Sequence, residues 1–98
     1  MSSPTALSVP EIKQSLKSLP GWRIKSKELV HEFKFKDYYE TMAFVNAIAY
    51  VSHQANHHPD LEVGYNTCVV RYSSHSVGGL TENDFFCAGK VDALAKDA

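Results

Sequence analysis

The sequence predicts an α+β fold with element order α-β-β-α-β-β-α, in which two hairpins form a four-stranded antiparallel sheet with helices packed on one face. Helix-capping signals at Ser8, Asp37 and Thr81 each precede apolar residues at helical spacing. Between them, residues 22–36 alternate apolar and polar side chains, and residues 61–63 and 67–73 are short strand-like runs separated by turn residues, as in hairpins. Because the strands come in consecutive pairs, antiparallel pairing is favoured over parallel βαβ units.

Length and composition indicate one packed domain. A chain of 98 residues can bury one hydrophobic core, and its 44% apolar and 11% aromatic residues exceed what a disordered chain carries. We interpret residues 1–7 as a flexible N-terminal tail and residues 8–98 as the domain.

Charge and cysteine content disfavour several classes of protein. The formal net charge of -1 lacks the positive field that direct nucleic-acid binding needs. Cys68 and Cys87 form no CxxC pair, which disfavours a disulfide scaffold or a zinc knuckle. The N-terminus lacks a secretory pattern, and residues 41–58, although free of Asp, Glu, Lys and Arg, are too polar for a membrane span. We therefore expect a cytoplasmic protein without direct nucleic-acid or membrane binding.

The first helix begins at Ser8, which can cap it together with Glu11 three residues on and Pro10 in the first turn. The Pro-Gly pair at residues 20–21 is expected to end it. The residues at inward helical spacing are Ile12, Leu16 and Leu19.

The first hairpin is indicated by Trp22 and Ile24, which alternate with charged residues before a break at Ser26 and Lys27. The apolar face of its second strand comprises Leu29, His31, Phe33 and Phe35. A lone histidine on an apolar face is more often a packed residue than a ligand, so His31 is left out of the candidate site.

The second helix starts with a cap at Asp37 and Glu40 and runs to about Asn56. Between residues 42 and 51 only Asn46 is not apolar, so the helix is apolar nearly all round. A helix that packs on one sheet needs only a single apolar stripe. The additional apolar surface therefore predicts that residues 42–51 pack against a second copy of the chain in a homo-oligomer. The alternative is an apolar helix covered by the first helix.

The second hairpin comprises residues 61–63 and 67–73, joined by a turn around Tyr65. Thr81 and Asp84 then form a Thr-x-x-Asp cap that opens the third helix. Its inward residues are Phe85, Ala88, Val91, Leu94 and Ala95.

Four histidines occupy two places in this scheme. His53 and His57 are four residues apart, so we expect them to share a face at the end of the second helix. His58 follows at once, and Pro59 stops the helix. His75 comes at the exit of the last strand. If the two hairpins share one sheet, the two places converge.

This cluster supports three hypotheses. A zinc site would use His53 and His57 with His58 or His75, although no HExxH glutamate accompanies them. A solvated surface cluster is the second, because exposed histidines are common. The third is acid/base catalysis without a metal, because imidazole titrates near neutral pH and two differently tuned histidines can give and take a proton.

The histidines also belong to a longer pattern. The spacing His53-x3-His57-His58-Pro59-x5-Tyr65-x9-His75-x8-Asp84 resembles the signature of the pterin-4a-carbinolamine dehydratases, which in some animals also act as dimerisation cofactors of a homeodomain transcription factor. The likeness extends from Gly21 and Trp22 through the "GLTENDF" segment to the final helix.

The resemblance implies dehydration of 4a-hydroxytetrahydropterin to quinonoid dihydropterin, in the recycling of the tetrahydrobiopterin used by aromatic amino acid hydroxylases. It implies no metal and no organic cofactor. The implied partners are the pterin substrate, further copies of the chain in a dimer or tetramer, and a transcription factor, which would add a nuclear location. A non-catalytic interaction module on the same fold is the alternative function, although such a role would not require the intact histidines.

By position, the resemblance assigns catalysis to His57, His58 and His75. From the chemistry of the elimination, we expect His57 and His75 to share the acid and base roles and His58 to orient the ring. The residues it assigns to substrate binding are Pro59, Ser74, Ser76, Val77, His53 and Asp84.

Three positions qualify this assignment. His53 stands where relatives often have an acidic residue, and Leu61 stands where animal members have an aromatic one. Asp84 allows two interpretations. It can be a helix-capping carboxylate, which with its cap contributes roughly 0.5–2 kcal/mol to stability, or it can be a hydrogen-bond partner for a site histidine. Capping is the favoured interpretation.

Overall fold

The computed structural model describes residues 5–97 and confirms the predicted order of helices and strands. The elements are α1 (Val9–Leu16), β1 (Arg23–Lys25), β2 (Glu28–Lys34), α2 (Tyr38–Ala55), β3 (Asp60–Val63), β4 (Thr67–Tyr72), a 3-10 helix (His75–Val77) and α3 (Glu82–Asp97). The 3-10 helix was not predicted. Within the predicted tail, Leu7 donates a backbone hydrogen bond of 2.8 Å to the carbonyl of Leu80, and residues 1–4 lie outside the described residues.

The two hairpins form one antiparallel sheet with strand order β1-β2-β4-β3. The central strands β2 and β4 join them, with Phe33 opposite Cys68 and Leu29 opposite Tyr72. Strand β3 pairs with the other edge of β4, so that Asp60 lies opposite Arg71. The start of β3 and the end of β4 therefore meet at the same end of the sheet.

The core lies between one face of the sheet and the helices. Inward side chains of β2 and β4, such as Leu29 and Val70, are fully buried together with Ile48 of α2 and Val91 of α3. Ile12 and Leu16 of α1 pack partly buried against the same cluster. This arrangement confirms the predicted α+β fold with helices on one face.

Helix α1 has the predicted capping box but ends earlier than expected. The Ser8 backbone N–H donates to Oε1 of Glu11 at 2.8 Å, and the Glu11 N–H donates to Ser8 Oγ at 3.3 Å. The helix stops at Leu16, and a following turn, in which Leu19 N–H donates to the Leu16 carbonyl at 3.0 Å, still buries Leu19.

The first hairpin turns at Ser26 and Lys27, whose φ angles of 52° and 64° are the left-handed values of a tight two-residue turn. Gly21, just before β1, also has a positive φ of 96°. A Cβ atom at Gly21 would lie 2.5 Å from Nε2 of His31, so only glycine fits there. His31 itself stacks on Phe33 with ring centroids 3.9 Å apart.

Helix α2 buries one stripe, formed by Thr41, Phe44, Ile48 and Ser52. On other sides of the helix, Tyr39 is 83% exposed and Tyr50 is 65% exposed. Helix α1 therefore does not cover Tyr50, the one of these two tyrosines that lies within residues 42–51. Across residues 5–97, none of the helices combines the length and hydropathy that crossing a membrane requires.

Candidate functional site

The candidate site lies where the chain enters β3 and leaves β4. Because these strands are antiparallel neighbours, the segment before Asp60 lies beside the segment after Tyr72. This brings His57 and His58, which follow α2, close to His75 in the 3-10 helix. The two places that carry histidines in the sequence therefore meet at one cavity.

His57 does not share a helical face with His53, contrary to the sequence-based expectation. Helix α2 ends at Ala55, and Asn56 adopts the left-handed conformation with a φ of 51°. This residue turns the chain before His57, whose N–H donates to the carbonyl of Ser52 at 3.1 Å. The left-handed residue directs His57 away from the helical path that His53 follows.

His57 is paired with a fully buried carboxylate. Its Nε2 lies 2.6 Å from Oδ1 of Asp84, with the histidine side chain 19% exposed and the aspartate side chain 0% exposed. The other oxygen, Oδ2, accepts the Ser74 hydroxyl and the Thr81 backbone N–H, each at 2.8 Å. Asp84 thus caps α3 and binds a site histidine at the same time, so both sequence-based interpretations of this residue hold.

These contacts define the chemistry of the pair. A buried carboxylate is costly unless donors surround it, and Asp84 has three. A carboxylate can only accept hydrogen bonds, so the proton between the two side chains belongs on Nε2 of His57. In the neutral imidazole, Nδ1 then carries the free lone pair.

Tyr72 supports His57 from within the core, a role that sequence analysis missed. The two rings stack with centroids 5.5 Å apart and an interplanar angle of 24°. Tyr72 is completely buried, and its hydroxyl, like that of Ser52, has no hydrogen-bond partner among the described residues. Burial raises the pKa of Tyr72 to about 12.

A polar cavity of about 250 Å³ adjoins His57. Both His58 and His75 are exposed, and Nε2 of His75 lies 3.4 Å from the Ser73 hydroxyl oxygen, a distance for a weak contact at best. The polar cavity is lined by Asn56, His57, His58, Asp60, Arg71, Ser73, Ser74, His75, Ser76 and Asn83.

An apolar cavity of about 420 Å³ lies next to it, between α2 and the start of β3. Its lining consists of Val45, Ile48, Ala49, Ser52, His53, Asn56, His57, His58, Pro59 and Leu61. Three of these residues, Asn56, His57 and His58, line both cavities.

The predicted site residues are therefore distributed unequally. The polar cavity contains His57, His58 and His75 with Ser74 and Ser76, while Asp84 lies behind His57. His53 and Pro59 line only the apolar cavity, and Val77 lies outside both linings.

Sequence analysis also missed polar residues of the cavity wall. Arg71 and Asp60 face each other across β3 and β4, and Arg71 forms a 2.7 Å ion pair with Glu62. Asn83 is the third member of the Thr-x-x-Asp segment. These three residues lie at strand ends or at a helix start. That position could have marked them as candidates, because the segments at such ends commonly carry binding residues.

Within residues 5–97, no three His, Cys, Asp or Glu side chains converge as metal ligands would. The zinc hypothesis therefore has no preformed ligand set in this part of the chain.

The fold and the site together define an α+β protein with a histidine-lined polar cavity at one end of its antiparallel sheet. The sequence profile of the family described as Pterin 4 alpha carbinolamine dehydratase matches residues 5–94. This chain belongs to that family.

Similar proteins agree with this assignment. A protein of Nitrosospira multiformis, provisionally named as a pterin-4-alpha-carbinolamine dehydratase, is 56% identical over 88 residues, which are 90% of this chain and 78% of the relative. A protein of Bdellovibrio bacteriovorus with the same provisional name is 54% identical, over 92% of this chain and 78% of its own length.

Solved structures share the fold. A transcriptional coactivator/pterin dehydratase from Brucella melitensis superposes with a TM-score of 0.90 at 31% identity, covering 93% of this chain and 99% of that one. A pterin dehydratase-like protein described as a RuBisCO assembly factor of the alpha-carboxysome gives a TM-score of 0.63 at 29% identity, over 76% of this chain and 86% of its own.

Proposed function

We propose that this protein is a dehydratase that converts 4a-hydroxytetrahydropterin to quinonoid dihydropterin and water by histidine acid/base catalysis. The observation that carries the proposal is the contact between His57 and the buried Asp84, at the edge of a polar cavity that also contains His58 and His75. Membership of the dehydratase family supports the substrate class.

In this mechanism His57 is the base. Its Nε2–H is held by Asp84, so Nδ1 is available to accept a proton from N5 of the substrate. As His57 becomes positively charged, the buried carboxylate stabilises it, because the pair is only 2.6 Å apart. Asp84 thereby acts as a positioning residue for His57.

His75 is the acid. Its side chain is exposed at the start of the 3-10 helix, where it can exchange protons with solvent. It donates a proton to the 4a-hydroxyl, the C4a–O bond breaks, and water leaves. Loss of the N5 proton to His57 completes a C4a=N5 double bond. The elimination is balanced without an oxidant, a reductant or a metal, so no cofactor is required.

His58 and the serine-rich segment after β4 orient the ring in this proposal. Ser76 is exposed in the polar cavity wall, as is His58. Ser74 differs, because its hydroxyl donates to Asp84 and its backbone N–H donates to the carbonyl of Gly79. We assign Ser74 to holding Asp84 and leave ring contacts to its neighbours.

The experiment is a direct assay of the elimination. Quinonoid dihydropterin formation is followed from chemically generated 4a-hydroxytetrahydropterin, with the purified protein and with an equal concentration of an unrelated protein. Acceleration by this protein alone supports the proposal. A folded sample that leaves the spontaneous rate unchanged would refute it.

The biological setting proposed for this activity is the recycling of tetrahydrobiopterin for aromatic amino acid hydroxylation. The relatives quoted above by organism are bacterial, and bacteria have no nucleus, which favours the cytoplasm over a nuclear location.

We also propose that the protein assembles as a homo-oligomer, dimer or tetramer, through α2. Tyr39, Ala43, Asn46 and Tyr50 recur at helical spacing on its exposed side, and such aromatic surface favours a protein contact. Light scattering after size exclusion measures the assembly. The Tyr50→Glu variant should lower the mass to that of one chain, whereas an unchanged mass in this variant would remove Tyr50 from the interface.

The alternative function is a non-catalytic interaction module, including a role as a transcription-factor partner. The exposed aromatic side of α2 is the observation that favours it. The dehydration assay separates the two functions, because a module without catalysis leaves the spontaneous rate unchanged while still binding its partner.

A further inference from the structure

The wall of the polar cavity contains one negative and one permanently positive side chain. Of the described residues that line it, Asp60 alone carries a carboxylate and Arg71 alone carries a guanidinium. Arg71 lies between the buried Val70 and Tyr72, so its side chain points to the sheet face away from the helices. Asp60 is paired directly opposite Arg71 in the register of β3 and β4 and therefore lies on the same face. The two charged groups are neighbours at the edge of one cavity.

The carboxylate of Asp60 is available to a ligand. Although Arg71 is its neighbour across the strands, Nη2 of Arg71 forms its ion pair with Oε1 of Glu62, at 2.7 Å. No Lys, Arg or His of the described chain lies within ion-pairing distance of the Asp60 carboxylate. The residue is exposed, so water solvates both oxygens until a ligand replaces it. Asp60 thus offers two acceptor atoms side by side at the cavity.

The guanidinium of Arg71 keeps donors for the same ligand. Its recorded contact engages one terminal nitrogen, whereas a guanidinium carries N–H groups on all of its nitrogens. The side chain of Arg71 is 27% exposed, and its partner Glu62 lies outside the cavity lining. Glu62 can therefore fix the position of the guanidinium without filling the cavity.

This pair of groups matches the pyrimidinone edge of a pterin. That edge presents two donors, the 2-amino group and N3–H, followed by one acceptor, the 4-oxo group. A carboxylate accepts two parallel hydrogen bonds, and a guanidinium donates to an oxygen. Accepting the proposed function, we infer that Asp60 binds the 2-amino group and N3–H while Arg71 binds the 4-oxo group, so that the site selects 2-amino-4-oxopteridines over 2,4-dioxopteridines.

Asp60 carries the selection. In a 2,4-dioxopteridine, an oxygen replaces the amino group and faces a carboxylate oxygen, and two acceptors cannot form a hydrogen bond. The carboxylate then loses water without gaining a full set of donors, which penalises that ligand. The 4-oxo group is common to both classes of ligand. Arg71 therefore contributes to affinity for both and not to the choice between them.

The test is equilibrium binding by calorimetry at neutral pH, with two stable probes. They are 6-methyl-7,8-dihydropterin and 6-methyl-7,8-dihydrolumazine, which differ only in the amino or oxo group at position 2. We expect the dihydropterin to bind roughly tenfold or more tightly, because its bonds to Asp60 involve a charged acceptor. Equal affinities, tighter binding of the dihydrolumazine, or binding of neither probe would overturn the inference.

The Asp60→Asn variant should abolish the preference. Its amide NH₂ can donate to the 2-oxo group while its oxygen still accepts from N3–H, so the affinity ratio of the two probes should fall to about one. Glu32→Gln is the matched control. Glu32 is an exposed carboxylate on the same sheet face, opposite Val69, and lies outside the cavity lining, so its ratio should stay at the wild-type value. A wild-type ratio in Asp60→Asn would contradict the inference.

The Arg71→Met variant tests the second contact. Methionine removes the donors but keeps a long side chain, so both probes should bind more weakly by the same factor, roughly tenfold, with the ratio unchanged. Undiminished affinity for both probes, or loss of the preference in this variant, would contradict the division of roles between Arg71 and Asp60.

Binding and turnover separate the inference from the proposed function. If the protein accelerates dehydration but binds the two probes equally, only the inference about Asp60 and Arg71 fails. If the dihydropterin is preferred and Asp60→Asn removes the preference, but dehydration is not accelerated, only the proposed function fails.

Discussion

The Nε2 atom of His57 lies 2.6 Å from Oδ1 of Asp84, a residue 27 positions further along the chain. The contact joins the loop after α2 to the start of α3, across the end of β4. Because Asp84 has no exposed surface, the interaction is shielded from solvent and ions. One carboxylate therefore serves both the folding of α3 and the orientation of the candidate base.

Asp84→Asn tests the orientation of His57. The amide keeps the shape of the carboxylate, but its NH₂ group can face Nε2 and so favour the other imidazole tautomer. We expect kcat for dehydration to fall by roughly 10²-fold or more, with a smaller change in KM. Steady-state kinetics measure both constants, and a wild-type kcat in a folded variant would contradict the role of Asp84.

Ser74→Ala tests how the carboxylate is held. The variant removes one of the two donors to Oδ2 and leaves the Thr81 N–H in place. Hydrogen bonds to charged groups contribute about 1.5–3 kcal/mol, so the free energy of unfolding in urea should decrease by about this amount. Ser76→Ala, at an exposed position nearby, is the control and should have little effect on stability.

Tyr72→Phe should change the dependence of stability on alkaline pH. The pKa of Tyr72 is raised from 10.0 to about 12 by burial, so the unfolded chain releases this proton at lower pH than the folded one. The resulting stability is fully present below pH 10 and is lost as the pH rises towards 12. Burial also raises the pKa of Cys68 to about 11, so this thiol causes a similar loss of stability at alkaline pH. That loss is expected in the Tyr72→Phe variant as well as in wild type.

Urea unfolding of wild type and Tyr72→Phe between pH 8 and about 11 measures this difference. Wild type should lose stability faster than the variant above pH 10, where an unfolded tyrosine ionises. Parallel curves for the two proteins would show that Tyr72 titrates normally. Since its hydroxyl has no hydrogen-bond partner among the described residues, the variant should be at least as stable as wild type near neutral pH.

Two glycines offer a matched test of backbone conformation. Gly21→Ala places a Cβ atom 2.5 Å from Nε2 of His31 at a φ of 96°, so we expect a loss of about 1–3 kcal/mol in stability. Gly89→Ala lies within α3 with nothing within 4 Å of the new Cβ, so the higher helix propensity of alanine should add about 0.5–1 kcal/mol. Thermal unfolding compares them, and equal effects of the same sign would contradict this account.

Much of the fold follows from local chemistry in the sequence. The caps at Ser8, Asp37 and Thr81 are side-chain to backbone contacts within three residues, so they are visible in short patterns. The first hairpin follows from alternating residues, and the second follows from two short strand-like runs on either side of the turn residues Gly64 and Asn66. The sequence also placed histidines at two chain positions that the strand pairing then brings together.

The sequence-based predictions for the site were wrong or incomplete where the conformation or packing of a single residue changes its surroundings. Asn56 in a left-handed conformation ends α2 before His57, although Asn followed soon by Pro59 is a recognised helix-ending signal. Tyr72 is a residue of the second hairpin, and nothing local in the sequence indicates that it stacks on His57. The burial of the contact between His57 and Asp84 depends on tertiary packing, which residue spacing in the sequence does not predict.

The most direct test of the account compares His57→Ala and His75→Ala with wild type in the dehydration assay. With His57 as base and His75 as acid, each substitution should lower kcat by roughly 10²–10⁴-fold while the circular dichroism spectrum stays native. Wild-type rates in both folded variants would contradict the proposal that these histidines carry the reaction.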